Sequence, residues 1–195
     1  MNSASAASQS APVVRPASSV WGRRAAAVFS GSLLVAVCAH VAFPLGFTPV
    51  PVTLQTFAVL LLGLVLSPGL AASALALYLL EGMAGLPVLS PVGPAGFLHI
   101  LGPTGGYLLA YPAAAALTGW LRRRIGGGGF ASSALAAGTG SVVILLAGAA
   151  WFAVISHQSA GTVLALSVAP FLPGDILKVA AAAGVATGLR RFRRS

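Results

Sequence analysis

Apolar side chains fill residues 24–43, 53–80, 104–120, 131–155 and 170–189, and Gly/Pro-rich or polar stretches separate these runs. A continuous apolar run of about 20 residues has the length of a membrane-spanning helix. The second run is broken at Ser67-Pro68-Gly69, so it is either one kinked helix or two short ones. The arginines decide between these. With two helices, Arg23 and Arg24, Arg122 to Arg124, and the cluster from Arg190 to Arg194 all fall on one side of the membrane. With one helix, the central cluster would cross to the other side, against the tendency of arginine to stay cytoplasmic. The pattern therefore predicts an all-α integral membrane protein with six transmembrane helices and both termini in the cytoplasm. About 14 residues is short for a spanning helix, so the second and third spans require burial or a thinned bilayer.

Composition sharpens this reading. The 195-residue chain is 57% hydrophobic and 7% charged, and its mean hydropathy is +0.95. Soluble domains carry about 25% charged residues. A net charge of +9 could suggest nucleic acid. Here, however, each arginine cluster flanks an apolar run without interleaved aromatics, which is a membrane-topology pattern and argues against a nucleic-acid partner. Residues 1–19 are Ser/Ala-rich and read as a disordered cytoplasmic tail, leaving residues 20–195 as a single membrane domain. Arg23-Arg24 could open a secretory signal, but no small-residue cleavage site follows, and Val37 before Cys38 does not suit lipoprotein processing. The lone Cys38 excludes an internal disulfide, and His40, His99 and His157 lack metal-ligand spacing and read as interfacial residues. Trp21, Trp120 and Trp151 lie near span ends, as an aromatic belt requires.

The candidate chemistry collects at the end opposite the arginines. Phe43–Val52 reads as an extended, proline-held loop, and residues 81–103 as a long Gly/Pro loop suited to a lid. The predicted second, fourth and sixth helices begin there, at Thr53-Leu54-Gln55-Thr56, Gly102-Pro103-Thr104-Gly105-Gly106-Tyr107 and Pro173-Gly174-Asp175. Helix N-termini offer unpaired N–H groups to carboxylates and carbonyl oxygens. The bland alternative is capping by Thr53 and Thr104, with Gly105 and Gly106 allowing close helix packing. Asp175 is one of two acidic residues and Lys178 the single lysine, three positions apart on one helical face. They are either a self-neutralising structural pair or the polar end of a small-ligand site. Glu81, at the outer end of the third span, is either solvated or part of the same pocket. Ser32 and Ala36 lie one turn apart on a small-residue face, where another chain's helix is expected to pack.

No phosphate-binding GxxxxGK[ST] loop, HExxH or Ser/His/Asp set is present, so an enzyme is the least supported class. No inverted repeat of transporter type is evident, although two carboxylates keep a proton-coupled secondary transporter open.

Pro49-Val-Pro-Val-Thr-Leu-Gln-Thr56, Tyr78-Leu-Leu-Glu-Gly-Met-Ala-Gly-Leu-Pro87, Gly102-Pro-Thr-Gly-Gly-Tyr-Leu108 and Phe171-Leu-Pro-Gly-Asp-Ile-Leu-Lys178 closely resemble the BioY family. These are the biotin-specific substrate-binding (S) components of energy-coupling-factor transporters. The four blocks fall in the right order over about residues 25–190. The resemblance implies a six-helix S-component fold in the cell membrane with biotin held near the outer face. It implies a transmembrane coupling (T) protein and two cytoplasmic ATPases as partners. ATP would be used by those subunits, with no cofactor on this chain. By resemblance, Asp175 meets the ureido ring of biotin and Lys178 its valeryl carboxylate. Thr53, Gln55, Glu81, Thr104, Gly105, Gly106 and Tyr107 complete the expected site. The segment Ser90–Phe97 departs from relatives that carry a Gly-rich, sometimes basic loop, which leaves the carboxylate to Lys178. An S component for a different vitamin stays open at this point.

Overall fold

A computed structural model describes residues 17–126 and 128–192. α1 runs from Ala17 to His40, with alanine its commonest residue, so the helix starts inside the stretch expected to be a tail. The rest of that stretch, residues 1–16, lies outside the described residues. α1 ends because Ala42–Phe43 turns into a short strand, β1, which pairs antiparallel with β2 at Val52–Thr53. The expected extended loop is thus a small hairpin, in register Ala42 with Thr53 and Phe43 with Val52, and the fold is not purely helical. Pro44, Pro49 and Pro51 cannot donate ladder hydrogen bonds, which limits the pairing to these two positions.

α2 runs from Gln55 to Val65 and α3 from Pro68 to Met83, so the break at residues 67–69 does separate two helices. Ser67 makes the break: its hydroxyl accepts from Leu70 N at 3.4 Å, and Pro68 follows at the first helical position. At 1.5 Å per residue, the 11 residues of α2 reach about 16 Å. Burial accommodates this shortness, because Ala58 to Leu64 are all enclosed by neighbouring helices.

The long loop from residue 84 to 104 contains one short helix, α4 (Phe97–Leu101). α5 runs from Gly105 to Ile125 and includes Arg122, Arg123 and Arg124, which the sequence pattern places in a turn. Basic residues suit the last turn, where unpaired carbonyls give the helix end a partial negative charge. Gly126, at φ +71°, then ends the helix. α6 spans Phe130–Ser156 and α8 spans Leu172–Phe192. The connection between them, expected as a loop, holds a further helix, α7 (Ala160–Ser167). Ser159 nucleates α7, its hydroxyl accepting from Thr162 N at 3.4 Å.

The core lies between α1, α2, α3, α5 and α6, around Val35, Val59, Leu62, Leu75, Tyr78, Leu108, Tyr111 and Ile144. Small residues let the helices approach closely. A side chain at Gly106 would run into Trp151, and one at Gly148 into the ring of Tyr107. The outer surface is equally apolar: Phe29, Leu33, Val37, Leu146, Val154, Ile176 and Leu177 all point away from the core. A contiguous apolar exterior is what a bilayer covers. α1 over Val20–His40, α6 and α8 are each long and apolar enough to cross a membrane.

Candidate functional site

The first turns of α2, α5 and α8 converge on one cavity at the end remote from the arginines. Val50 and Pro51 from the hairpin, Ser90 and His99 from the 84–104 segment, and Ile144 and Leu145 from α6 close its sides. Thr48 fastens the hairpin, donating from its hydroxyl to Leu166 O of α7 at 2.7 Å. Trp151 fastens the end of the long segment, donating from Nε1 to Gly102 O at 2.9 Å.

Asp175 and Lys178 both line the cavity. Lys178 Nζ lies 3.2 Å from Asp175 Oδ1, and Ser141 of α6 donates to Asp175 Oδ2 at 3.0 Å. The carboxylate thus has a partner on each oxygen, although Asp175 is only 6% exposed. Its position in the first turn of α8 adds the favourable interaction of an anion with a helix N-terminus.

Gln55 opens α2 and its amide is held from both sides. Its Nε2 donates to Tyr78 Oη at 2.9 Å, while Tyr111 Oη donates to its Oε1 at 2.8 Å. With a tyrosine hydroxyl on each side, both ends of the amide are satisfied and the side chain is held at the cavity wall. Thr53 also lines the cavity and accepts from Gln55 N at 3.4 Å. Thr104 occupies the N-cap position of α5 without a side-chain capping bond, and it lines the cavity. Tyr107 donates to Ser167 O and packs against Phe171, with ring centroids 6.1 Å apart at 55°.

Six of the expected residues are therefore gathered here: Thr53, Gln55, Thr104, Tyr107, Asp175 and Lys178. Others are elsewhere. Glu81 accepts a hydrogen bond from Ser32 in a groove between α1 and α3, beside Phe29 and Leu33, and does not border the cavity. Gly105 and Gly106 do not line it either; they press against Ile100 and Trp151, which is the close-packing role. Ser32 (1% exposed) and Ala36 (6%) face inward within this chain and lie outside the cavity. Ser32 is used up by Glu81 on α3, and the outward face of α1 is Phe29, Leu33 and Val37.

Tyr111 lines the cavity with no sequence signal that singles it out, and Thr56, Ser90 and Phe171 line it from stretches the sequence marks without naming them as site residues. His99, expected at an interface, is buried and lines the cavity, its Nδ1 lying 2.8 Å from Pro94 O. A carbonyl only accepts, so Nδ1 carries the proton. Thr56 Oγ1 is buried with no hydrogen-bond partner among the described residues, and such a hydroxyl on a cavity wall is a ready contact for a polar ligand. Chemically, the site offers one carboxylate, one ammonium, an amide and hydroxyls along one side. Leu108, Ile144, Leu145 and Phe171 form the apolar remainder.

A sequence model of the BioY family matches residues 9–195. The probable biotin transporter BioY of Pyrococcus horikoshii is 37% identical over 157 residues, covering 80% of this chain and 90% of that protein. The biotin transporter BioY of Rhodobacter capsulatus is 35% identical over 179 residues, covering 84% and 90%. In fold, the chain is similar to a crystal structure of the S-component for biotin from an ECF-type ABC transporter. That similarity has a TM-score of 0.81 at 23% identity and covers 91% of this chain and 95% of that one. With its fold shared and nearly its whole length matched, this chain is a member of the BioY family.

Proposed function

We propose that this protein is the substrate-binding subunit of an energy-coupling-factor transporter and captures biotin at the outer membrane face for ATP-driven uptake. The observation that carries this reading is the Asp175–Lys178 pair set in the wall of an otherwise largely apolar cavity. Biotin has matching chemistry: ureido N–H groups for Asp175, a carboxylate for Lys178, and a thiophane ring and chain for Leu108, Ile144, Leu145 and Phe171. Charge-assisted hydrogen bonds of this type contribute roughly 1.5–3 kcal/mol each. Thr53, Gln55, Thr56, Thr104 and Tyr107 would complete the contacts. Gly105 and Gly106 support the site from behind by packing against Ile100 and Trp151. The names of the relatives, which are biotin transporters, point the same way.

In this reading α1, α2, α3, α5, α6 and α8 are six spans, with the arginine-rich end and both termini cytoplasmic. A transmembrane coupling protein and two ATPase subunits assemble on that end and hydrolyse the ATP. A reporter inserted after Arg124 should report a cytoplasmic location and one near Gly161 an external one; an external signal after Arg124 would refute the orientation. The decisive experiment for function is binding of labelled biotin to the purified protein in detergent, without ATPases. Saturable binding at one site per chain is expected. Absence of binding by folded protein, or uptake driven by a proton gradient alone, would overturn the assignment.

A further inference from the structure

At the end of the fold away from the ligand cavity, Arg122 is almost fully enclosed (4% exposed) among the ends of α2, α5 and α8. Its Nη1 donates to Leu64 O and so caps α2, whose last carbonyls have no partner within the helix. Capping uses one nitrogen only. Nε and Nη2 are buried without a hydrogen-bond partner among the described residues. A guanidinium carries five N–H donors, and burying them unpaired is costly. Both nitrogens belong to a side chain that lines a cleft of about 150 Å³ together with Leu64, Val65, Ala186, Leu189 and Arg190.

Arg190 brings a second guanidinium to the same cleft. It is held against the α5–α6 turn at Gly128, where a side chain would collide with its Nη1. Two like charges facing one small space repel each other unless an anion lies between them. No acidic side chain of this chain can serve. It has two: Asp175 is bonded to Lys178 and Ser141, and Glu81 to Ser32, both away from this cleft. Among the described residues no side-chain anion reaches the cleft, so an anion from outside fits it.

The surroundings select its class. The rim of the cleft is apolar and turned outward at Val65 and Leu189 (36% and 46% exposed). Trp120, one turn before Arg124 and 5.4 Å from its guanidinium, marks this level as the membrane interface. We propose that the Arg122–Arg190 cleft binds the phosphate of an anionic phospholipid, with the acyl chains lying along Val65 and Leu189. Arginine suits this role because its planar fork can engage phosphate oxygens two at a time. Such a lipid would tie the ends of α2, α5 and α8 together, and the site is independent of whatever occupies the ligand cavity.

The test is thermal unfolding of the full-length protein in a neutral detergent with added dioleoyl-phosphatidylglycerol, dioleoyl-phosphatidylcholine or inorganic phosphate. A rise of several degrees is expected with phosphatidylglycerol and little with the other two, because a ligand stabilises only the state that binds it. Arg122→Gln and Arg190→Gln should each abolish most of that rise. Arg123→Gln, outside the cleft, should keep it. If either variant fails to fold, native mass spectrometry of the unaltered protein should still show one phosphatidylglycerol retained in preference to phosphatidylcholine. A rise that survives both substitutions, or an equal rise with inorganic phosphate, overturns the proposal. So does loss of coupling-protein assembly in Arg122→Gln without any lipid response, which would assign the cleft to a partner's carboxylate.

Discussion

If Asp175 and Lys178 hold biotin as proposed, exchanging Asp175 for Asn, or Lys178 for Met, is expected to remove most of the rise in melting temperature that biotin should give the unaltered protein. Each group would contribute roughly 1.5–3 kcal/mol to ligand binding, so each loss should weaken affinity by roughly ten- to a hundred-fold. The unliganded proteins should behave unequally. An asparagine in place of Asp175 can still accept from Ser141 and from Lys178 through Oδ1, so Asp175→Asn should lose less stability than removal of the lysine. Lys178→Met leaves a carboxylate only 7% exposed with Ser141 as its remaining partner, and breaking a buried pair in this way costs about 3–5 kcal/mol. The double variant removes the stranded charge and should recover most of that stability without recovering binding. Thr56→Val offers a milder comparison: its hydroxyl has no partner among the described residues, so melting without biotin should hold while the biotin-induced rise shrinks. A double variant that keeps the full biotin-induced rise would show that Asp175 and Lys178 serve the fold alone.

The second large effect is expected at Gly148. A methyl group there would fall inside the ring of Tyr107. The ring cannot simply retreat, because Phe171 packs against it and its hydroxyl is bonded to Ser167 O. Either α5 and α6 separate or Tyr107 leaves the cavity wall. Overpacking of this kind costs about 1–3 kcal/mol. Gly148→Ala should therefore both melt lower and bind biotin more weakly. Gly138→Ala, ten residues earlier on the same helix and with open space around it, should change neither. Removing the ring as well, in Gly148→Ala with Tyr107→Ala, should be less destabilising than the two single effects added, because the residues are in direct contact. Equal melting of the two glycine variants would contradict this packing.

What the sequence makes legible follows from the strength of each local signal. The helix starts at Gln55, Gly105 and Leu172 fall near their expected places because proline, glycine and threonine mark them, and the Ser67-Pro68 stop separates α2 from α3. Asp175 and Lys178 stand out because charge is so rare in this chain. Tyr111 does not, since a tyrosine inside an apolar run has no periodicity that distinguishes cavity from core. His99 escapes for a related reason: α4 is five residues long, too short to register as a pattern, yet it is what turns the imidazole inward. The small-residue spacing at Ser32 and Ala36 predicts that a helix will pack there but not which helix. In this chain the partner is α3, and the bond from Ser32 to Glu81 is made between residues 49 positions apart.

Trp151 has a consequence of an optical kind. Its indole N–H is bonded to Gly102 O, at the junction of the long covering segment with α5, and its side chain packs on Gly106. The other two indoles, Trp21 and Trp120, lie on outward faces, each stacked near an arginine. Emission from those two follows the membrane interface, whereas Trp151 alone is tied to the segment that roofs the cavity. A displacement that moves Gly102 would break this hydrogen bond and change the polarity around the ring. Emission from Trp151, isolated by replacing Trp21 and Trp120 with phenylalanine, would report such a displacement.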